Sequence, residues 1–212
     1  MSRWLAKPVS LHIGAHESVL ADAVLPARCG EWGALADTLS GAPTGRLAVT
    51  VADCWVRYFL LAPPEGVASL RDCRLLLTAR FEALYGHSPA DWVLQADWQA
   101  GRPMLACALP RALVAALAPF KPASIRPLML TLWNRHCARL PSDGALCAQA
   151  DGQANLLYWR AGQIRLVRQQ KGADAEALLA LELARLDAEM PAMRYWRGAA
   201  APAGWAPLEV AP

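Results

Sequence analysis

The sequence predicts an α/β fold, and three stretches carry that prediction. Leu47 to Val51 (LAVTV) is short, almost wholly apolar and rich in β-branched residues, which suits a strand covered on both faces. Ser69 to Tyr85 places Leu70, Cys73, Leu77, Phe81 and Leu84 at spacings of three and four. Arg71, Asp72, Arg74, Arg80 and Glu82 fall mostly between them, the pattern of a helix with one core side. Ala145 to Ala150, Asn155 to Arg160 and Gln163 to Gln169 are three strand-like runs divided by Asp151-Gly152 and Ala161-Gly162, and Asp-Gly is a strong hairpin signal.

The remaining elements follow in order. Val9 to Ile13 and Val19 to Val24 are predicted strands joined by a turn at Gly14-Ala15-His16, and Glu31 to Leu39 is a short helix stopped by Ser40-Gly41-Ala42-Pro43. Val56 to Leu61 continues LAVTV after the tight connection Ala52-Asp53-Cys54, giving an expected strand, hairpin and helix unit; Pro63-Pro64 ends the second strand. Asp91 to Ala96 alternates as a half-buried strand, and Gly101-Arg102-Pro103 turns the chain into Met104 to Leu109. Pro110 stands where a first helical residue would, ahead of the alanine-rich Arg111 to Leu117. Lys121 to Arg126 is a short strand. Pro127 then opens a helix over Leu128 to Leu140 with Leu128, Met129, Leu132, Trp133, Cys137 and Leu140 on its apolar face. Asp174 to Glu189 is a last helix with an acidic start, and Met193 to Trp196 a last strand. The Ala/Pro/Gly-rich tail from Gly198 is expected to be mobile or bound to a partner, and no internal repeat is visible.

Composition narrows the function classes. A chain of 212 residues can bury roughly 70% of its unfolded surface. The net charge of +3 is spread thinly, nearly all of it on arginine, so a nucleic-acid partner is not expected. Hydrophobic residues reach 55%, yet no window approaches the roughly 18 uninterrupted apolar residues of a membrane span, and the first residues lack the core of a signal peptide. The six cysteines form no CxxC pair and several sit in apolar periodicities, as in a reduced cytoplasmic protein. Nine tryptophans fit either interface anchoring or packing at the rim of the core, and packing is favoured.

Catalytic signatures are missing: there is no GxSxG elbow, GxxxxGK[ST] phosphate loop or GxGxxG after a strand. His12 and His16 flank a glycine turn, which argues against a metal pair. His136 and Cys137 are helix neighbours that point apart by about 100° and cannot act on each other as a dyad.

The order of elements, together with VSLHIGAHESV (Val9 to Val19), LAVTVADCWVRYFLLAPP (Leu47 to Pro64), RDCRLLLTARFEALYG (Arg71 to Gly86) and FKPASIRPLMLTLWNRH (Phe120 to His136), resembles the actin-like cytoplasmic proteins of bacterial pilus and secretion machines. These are the PilM family of type IV pili and the cytoplasmic GspL domain of type II secretion. The resemblance implies an actin-like (ribonuclease H-like) fold of two lobes with mixed sheets and an inserted β-α-β-β subdomain, truncated. A first lobe would span 1–120 with the insertion at about 47–110, a second, reduced lobe 121–198, and a flexible tail 199–212. It further implies a vestigial nucleotide site at Gly14, Ser18, Asp151 and Gly152. The departures are as informative: His12 stands where the family has a metal-supporting Asp, and Ala15 and Val19 stand near an expected hydroxyl and lysine. Asp151 and Gly152 are adjacent instead of D-x-G, and the glycine pair that would approach adenine is reduced to Gly198. The chain is also short for the nucleotide-binding members and lacks the membrane span and periplasmic domain of full GspL proteins.

What the resemblance implies for function is a non-enzymatic scaffold without cofactor, cytoplasmic and peripheral at the inner membrane through its partner. It would bind the cytoplasmic segment of an inner-membrane pilus or secretion platform protein, the assembly ATPase, or both. The alternatives are an actin-like ATP-binding protein or weak ATPase using Mg-ATP at Gly14, Ser18, Asp151 and Gly152, and an unrelated α/β interaction protein.

Overall fold

The computed structural model describes residues 8–26, 28–41, 46–67, 69–98 and 103–208. The expected turn at Gly101-Arg102, the stop at Ala42-Pro43, Trp4 and the tail beyond Leu208 lie outside them.

The first sheet begins with β1 (Val9–Ile13), β2 (Ser18–Leu20) and β3 (Ala23–Leu25), an antiparallel meander followed by α1 (Trp32–Ser40) and β4 (Leu47–Val51). The single strand expected over Val19 to Val24 is two strands, because Ala21 and Asp22 take positive φ (46° and 73°) and fold the chain back on itself. β4 runs parallel to β1 with Val49 beside Leu11, and its alternate residues Leu47, Val49 and Val51 are buried.

The expected hairpin after β4 does not form. The chain turns through a short 3₁₀ segment, Asp53–Trp55, and enters a separate antiparallel sheet of β5 (Arg57–Leu61), β6 (Trp92–Ala96) and β7 (Met104–Pro110), with β7 in the centre. α2 (Leu70–Tyr85) lies between β5 and β6 in sequence, so the insertion has β-α-β-β order. Ser69 caps α2 by accepting the Asp72 amide at 3.0 Å, and Gly86 ends it with φ 65°. Only part of the predicted core face is covered: Leu77 and Phe81 are buried against Phe59, Met104 and Ala108, whereas Leu70 and Leu84 are exposed. A three-stranded sheet is too narrow to cover both ends of a four-turn helix.

β7 leads into α3 (Arg111–Leu117), with Pro110 just before the helix and not inside it. Lys121 turns at φ 46° and delays β8 to Ser124–Pro127, which pairs in parallel with β4 and completes the first sheet in the order β3-β2-β1-β4-β8. α4 (Leu128–His136) follows directly, and the rest of its predicted length is a 3₁₀ turn over Cys137–Arg139.

The second sheet repeats this plan. β9 (Gly144–Ala150), β10 (Gln153–Arg160) and β11 (Gln163–Lys171) form a meander whose turns have both central residues at positive φ, Asp151-Gly152 at 53° and 70° and Ala161-Gly162 at 51° and 70°. α5 (Ala175–Arg185) follows, capped by Asp174, and β12 (Arg194–Arg197) lies parallel to β9. The tail is not free: β13 (Ala206–Pro207) pairs with β12, and Trp205 and Leu208 are buried. The order β11-β10-β9-β12-β13 matches that of the first sheet, an internal repeat of topology that is not visible in the residues. Leu11, Ile13, Val49 and Val51 share one core with Leu146, Leu157 and Trp159, so the two sheets are packed as one body. A second core lies under α5, where Leu178, Leu179 and Leu183 meet Tyr158 and Trp196. The six cysteines are free, and no helix among the described residues is long and apolar enough to cross a membrane.

Candidate functional site

The two turns that the resemblance offers to a nucleotide are each built for local reasons. Gly14 donates its amide to the Glu17 carbonyl at 2.8 Å, and a Cβ on Gly14 would stand 2.7 Å from that oxygen, so the turn demands glycine. Ser18 is buried with its hydroxyl 3.6 Å from the Cys29 thiol. Asp151 and Gly152 are exposed, and the Gly152 carbonyl accepts the Gly172 amide at 2.7 Å. Gly198 lies against the Trp196 indole, where a Cβ would come within 2.9 Å of the ring.

Between these turns stands the Asp53–Trp55 segment. The Ala52 amide donates to Ile13 at 2.7 Å, which ties the segment to the end of β1. Trp55 reaches back to the first turn and donates its indole N–H to the Gly14 carbonyl at 2.7 Å, its ring packed edge-on to Trp32 at 5.0 Å. On the other side, Gln169 of β11 donates its side-chain amide to the Asp53 carbonyl at 2.9 Å. The same Gln169 group and that of Gln153 meet Asn155 Oδ1 at 3.1 and 3.0 Å, and Asn155 donates to the Ala148 carbonyl at 3.3 Å.

The Asp53 side chain is the most unusual group in the molecule. It is 3% exposed; Oδ1 accepts the Tyr58 hydroxyl at 2.5 Å and the Met129 amide in the first turn of α4 at 3.1 Å, while Oδ2 has no partner. Burial raises its pKa from 3.8 to about 6 against the opposing effect of those two hydrogen bonds. Burial and the Asp53 charge push Tyr58 up in turn, and burial, with Asp151 and Asp53 adding to it, raises the Cys54 thiol to about 11. Burial works against the charged form of all three groups. Among the described residues no group of three His, Cys, Asp or Glu side chains could hold a metal ion.

Sequence reasoning singled out the two turns and missed what joins them. Gly14 is bonded to Trp55, and the Asp151 charge is felt at Cys54, so both turns border the Asp53–Trp55 segment. The missed residues are Asp53, Trp55, Tyr58 and Gln169. A signal existed for the first of them, since Asp53 is the one charged residue in a mostly apolar run from Leu47 to Val56.

Two five-stranded sheets of matching order about a shared core, with a small subdomain inserted in the first, define an actin-like fold. Three solved structures are similar to this chain. A Bacteroides thetaiotaomicron protein of actin-like ATPase fold and unknown function is 10% identical at a TM-score of 0.62, over 95% of this chain and 86% of that one. The cytoplasmic domain of EpsL, an inner-membrane component of the type II secretion system of Vibrio cholerae, is 12% identical at 0.55, over 89% and 79%. A chain of the PilM-PilN type IV pilus biogenesis complex is 16% identical at 0.51, over 87% and 67%. No family model matches the sequence, and no curated protein matches it.

Proposed function

We propose that this chain is a non-enzymatic scaffold of a type IV pilus or type II secretion-like assembly platform, which binds the cytoplasmic segment of an inner-membrane partner. One observation carries the reading. In the first turn the Gly14 amide is committed to Glu17, the buried Ser18 hydroxyl lies against the half-buried Cys29 thiol, and the Trp55 indole is fastened to the turn through the Gly14 carbonyl. A nucleotide would have to displace the Asp53–Trp55 segment and break the tie to Gln169. The likeness to EpsL and to the PilM-PilN complex supports the choice of machine.

Affinity capture from detergent-solubilised native membranes tests the proposal. The tagged full chain is expected to recover an inner-membrane pilus or secretion component, with or without the assembly ATPase, and recovery to be unchanged by Mg-ATP. Repeated capture without any such component contradicts the reading. Capture that depends on Mg-ATP favours the actin-like ATP-binding alternative.

A further inference from the structure

Three cations from two sheets converge where no carboxylate meets them. β5 and β11 are outer strands of the inserted and second sheets, and between them lies a cavity of about 260 Å³ lined by Arg57, Tyr85, Arg168, Gln170 and Lys171 among others. No acidic residue among those described lines it. Arg57 and Lys171 enter no ion pair among the described residues, and Arg168 is paired only through Nε, with Glu182 at 3.3 Å.

Two of the cations are held in place with donors to spare. Arg57 spends Nη1 on the carbonyls of Cys54 and Val56, at 3.3 and 3.1 Å, and its guanidinium lies over the Trp92 ring at 5.5 Å, which leaves Nε and Nη2. Glu182 fixes Arg168 from one side and leaves both of its Nη groups. Burial raises the Tyr85 phenol while the charges of Arg57 and Arg168 oppose the rise, so groups from both sheets act on one oxygen in the cavity. Its hydrogen is already given to the Tyr58 carbonyl at 2.7 Å. Like charges gathered without a counter-charge repel one another, and a bound anion relieves that cost.

We infer that this cavity binds a small phosphate-bearing anion, with Arg57 on one side and Arg168 and Lys171 on the other. Phosphate is favoured over a single carboxylate because it brings about two negative charges and three acceptor oxygens to three cations, and guanidinium forks match it. Size sets the upper limit. The cavity falls below the roughly 300–1,000 Å³ of pockets for drug-sized ligands, so pyrophosphate or a phosphorylated compound of a few carbons suits it and a nucleoside triphosphate does not. Gly14, Ser18, Asp151 and Gly152 do not line it, so this is not the site that the resemblance offers to a nucleotide. The inference goes beyond the scaffold reading and does not rest on it.

The test titrates inorganic pyrophosphate, without magnesium, into the isotope-labelled full chain at physiological ionic strength, with affinity read by calorimetry and the site by amide shifts. One equivalent is expected to bind, with the largest shifts at Arg57 and from Arg168 to Lys171 and none at Gly14 or Ser18. Lys171→Glu, at the exposed end of β11, and Arg168→Gln, which leaves Glu182 its bond to Arg185, are each expected to weaken binding at least about tenfold in chains whose amide spectrum shows the fold retained. Arg139→Glu, a change of charge outside the cavity, is expected to bind as the parent does. Absence of saturable binding, shifts centred on Gly14 and Ser18, or an Arg139→Glu chain weakened as much as Lys171→Glu would overturn the inference. So would affinity equal to the parent's in both cavity variants. A chain that captures a platform component but binds no pyrophosphate sinks this inference and spares the scaffold reading. Pyrophosphate bound between β5 and β11 in a chain that captures no platform component does the reverse.

Discussion

Gln169 donates its side-chain amide to the backbone carbonyl of Asp53 at 2.9 Å, across 116 residues of sequence, and so fastens the second sheet to the turn that leaves the first. The same Asp53 reaches Met129 at the head of α4 and Tyr58 in the inserted sheet. One residue thus meets every major part of the fold, and changes around it are expected to be felt globally.

Gln169→Ala removes the shared donor and leaves the Asp53 carbonyl and Asn155 Oδ1 each short of a partner. The expected loss is about 0.5–1.5 kcal/mol per bond removed, since the Asp53 carbonyl keeps the Val56 amide and Asn155 Oδ1 keeps Gln153, read from urea unfolding. Unchanged stability would mean that water replaces the bond between Gln169 and the Asp53 carbonyl at no cost.

The Asp53 carboxyl gives stability a definite pH sign. Its folded pKa of about 6 lies above the ordinary 3.8, so the native state holds the proton more tightly than the unfolded chain. This contribution is fully present below about pH 4 and is lost as pH rises through 6, with a span of about 3 kcal/mol from the two-unit shift. Asp143, held low by its Ser142 and Ala161 hydrogen bonds, works in the opposite sense, so comparison with a variant is needed. Subtracting the stability profile of Asp53→Asn from that of the parent is expected to give a curve falling between pH 4 and 6. A flat difference contradicts the assignment.

Trp205 docks the tail. Its indole donates to Glu176 at 2.8 Å, and its ring meets Trp196 edge-on at 6.2 Å. Arg194 binds the other oxygen of Glu176 at 2.7 Å. Trp205→Ala is expected to cost about 3 kcal/mol in denaturant unfolding and to release the chain after Arg197 to proteolysis. A protease-resistant tail in that variant would show that β13 holds without its anchor.

Thiol reactivity is expected to separate along burial. Cys137 is exposed, whereas burial raises Cys107 to about 11 and Cys147 to about 12. A disulfide-exchange reagent should modify Cys137 first and reach Cys107 and Cys147 only on unfolding. Fast modification of Cys147 in the native chain would contradict its placement in the core.

Much of the architecture was legible because it is local. Asp151-Gly152 and Ala161-Gly162 spell turns with positive φ, LAVTV spells a covered strand, and Ser69 and Gly86 mark the ends of α2. The errors came where the deciding partner is far along the chain. Leu70 and Leu84 keep the helical period, but the inserted sheet ends before it reaches them. Trp205 sits in a stretch that reads as mobile, and its anchor Glu176 is 29 residues away. The repeated strand order leaves no trace in the residues, since each strand need only be apolar on the faces it buries. At the candidate site, Gly14, Ser18, Asp151 and Gly152 were singled out by resemblance alone. The Asp53–Trp55 segment was read as a connection, because nothing in its neighbours announces Gln169 or Gly14 as partners.

The most direct measurement is a thermal-shift titration of the purified full chain with Mg-ATP and, in parallel, with peptides from the cytoplasmic ends of pilus and secretion membrane proteins encoded beside it. A ligand at about 100 times its Kd adds about 2.7 kcal/mol, a shift of several degrees in a chain of this size. Stabilisation by one of the peptides with no response to Mg-ATP is the predicted result. A saturable shift with Mg-ATP would contradict the account, since the nucleotide would then have opened the Asp53–Trp55 segment, and Asp151 would be the first residue to replace.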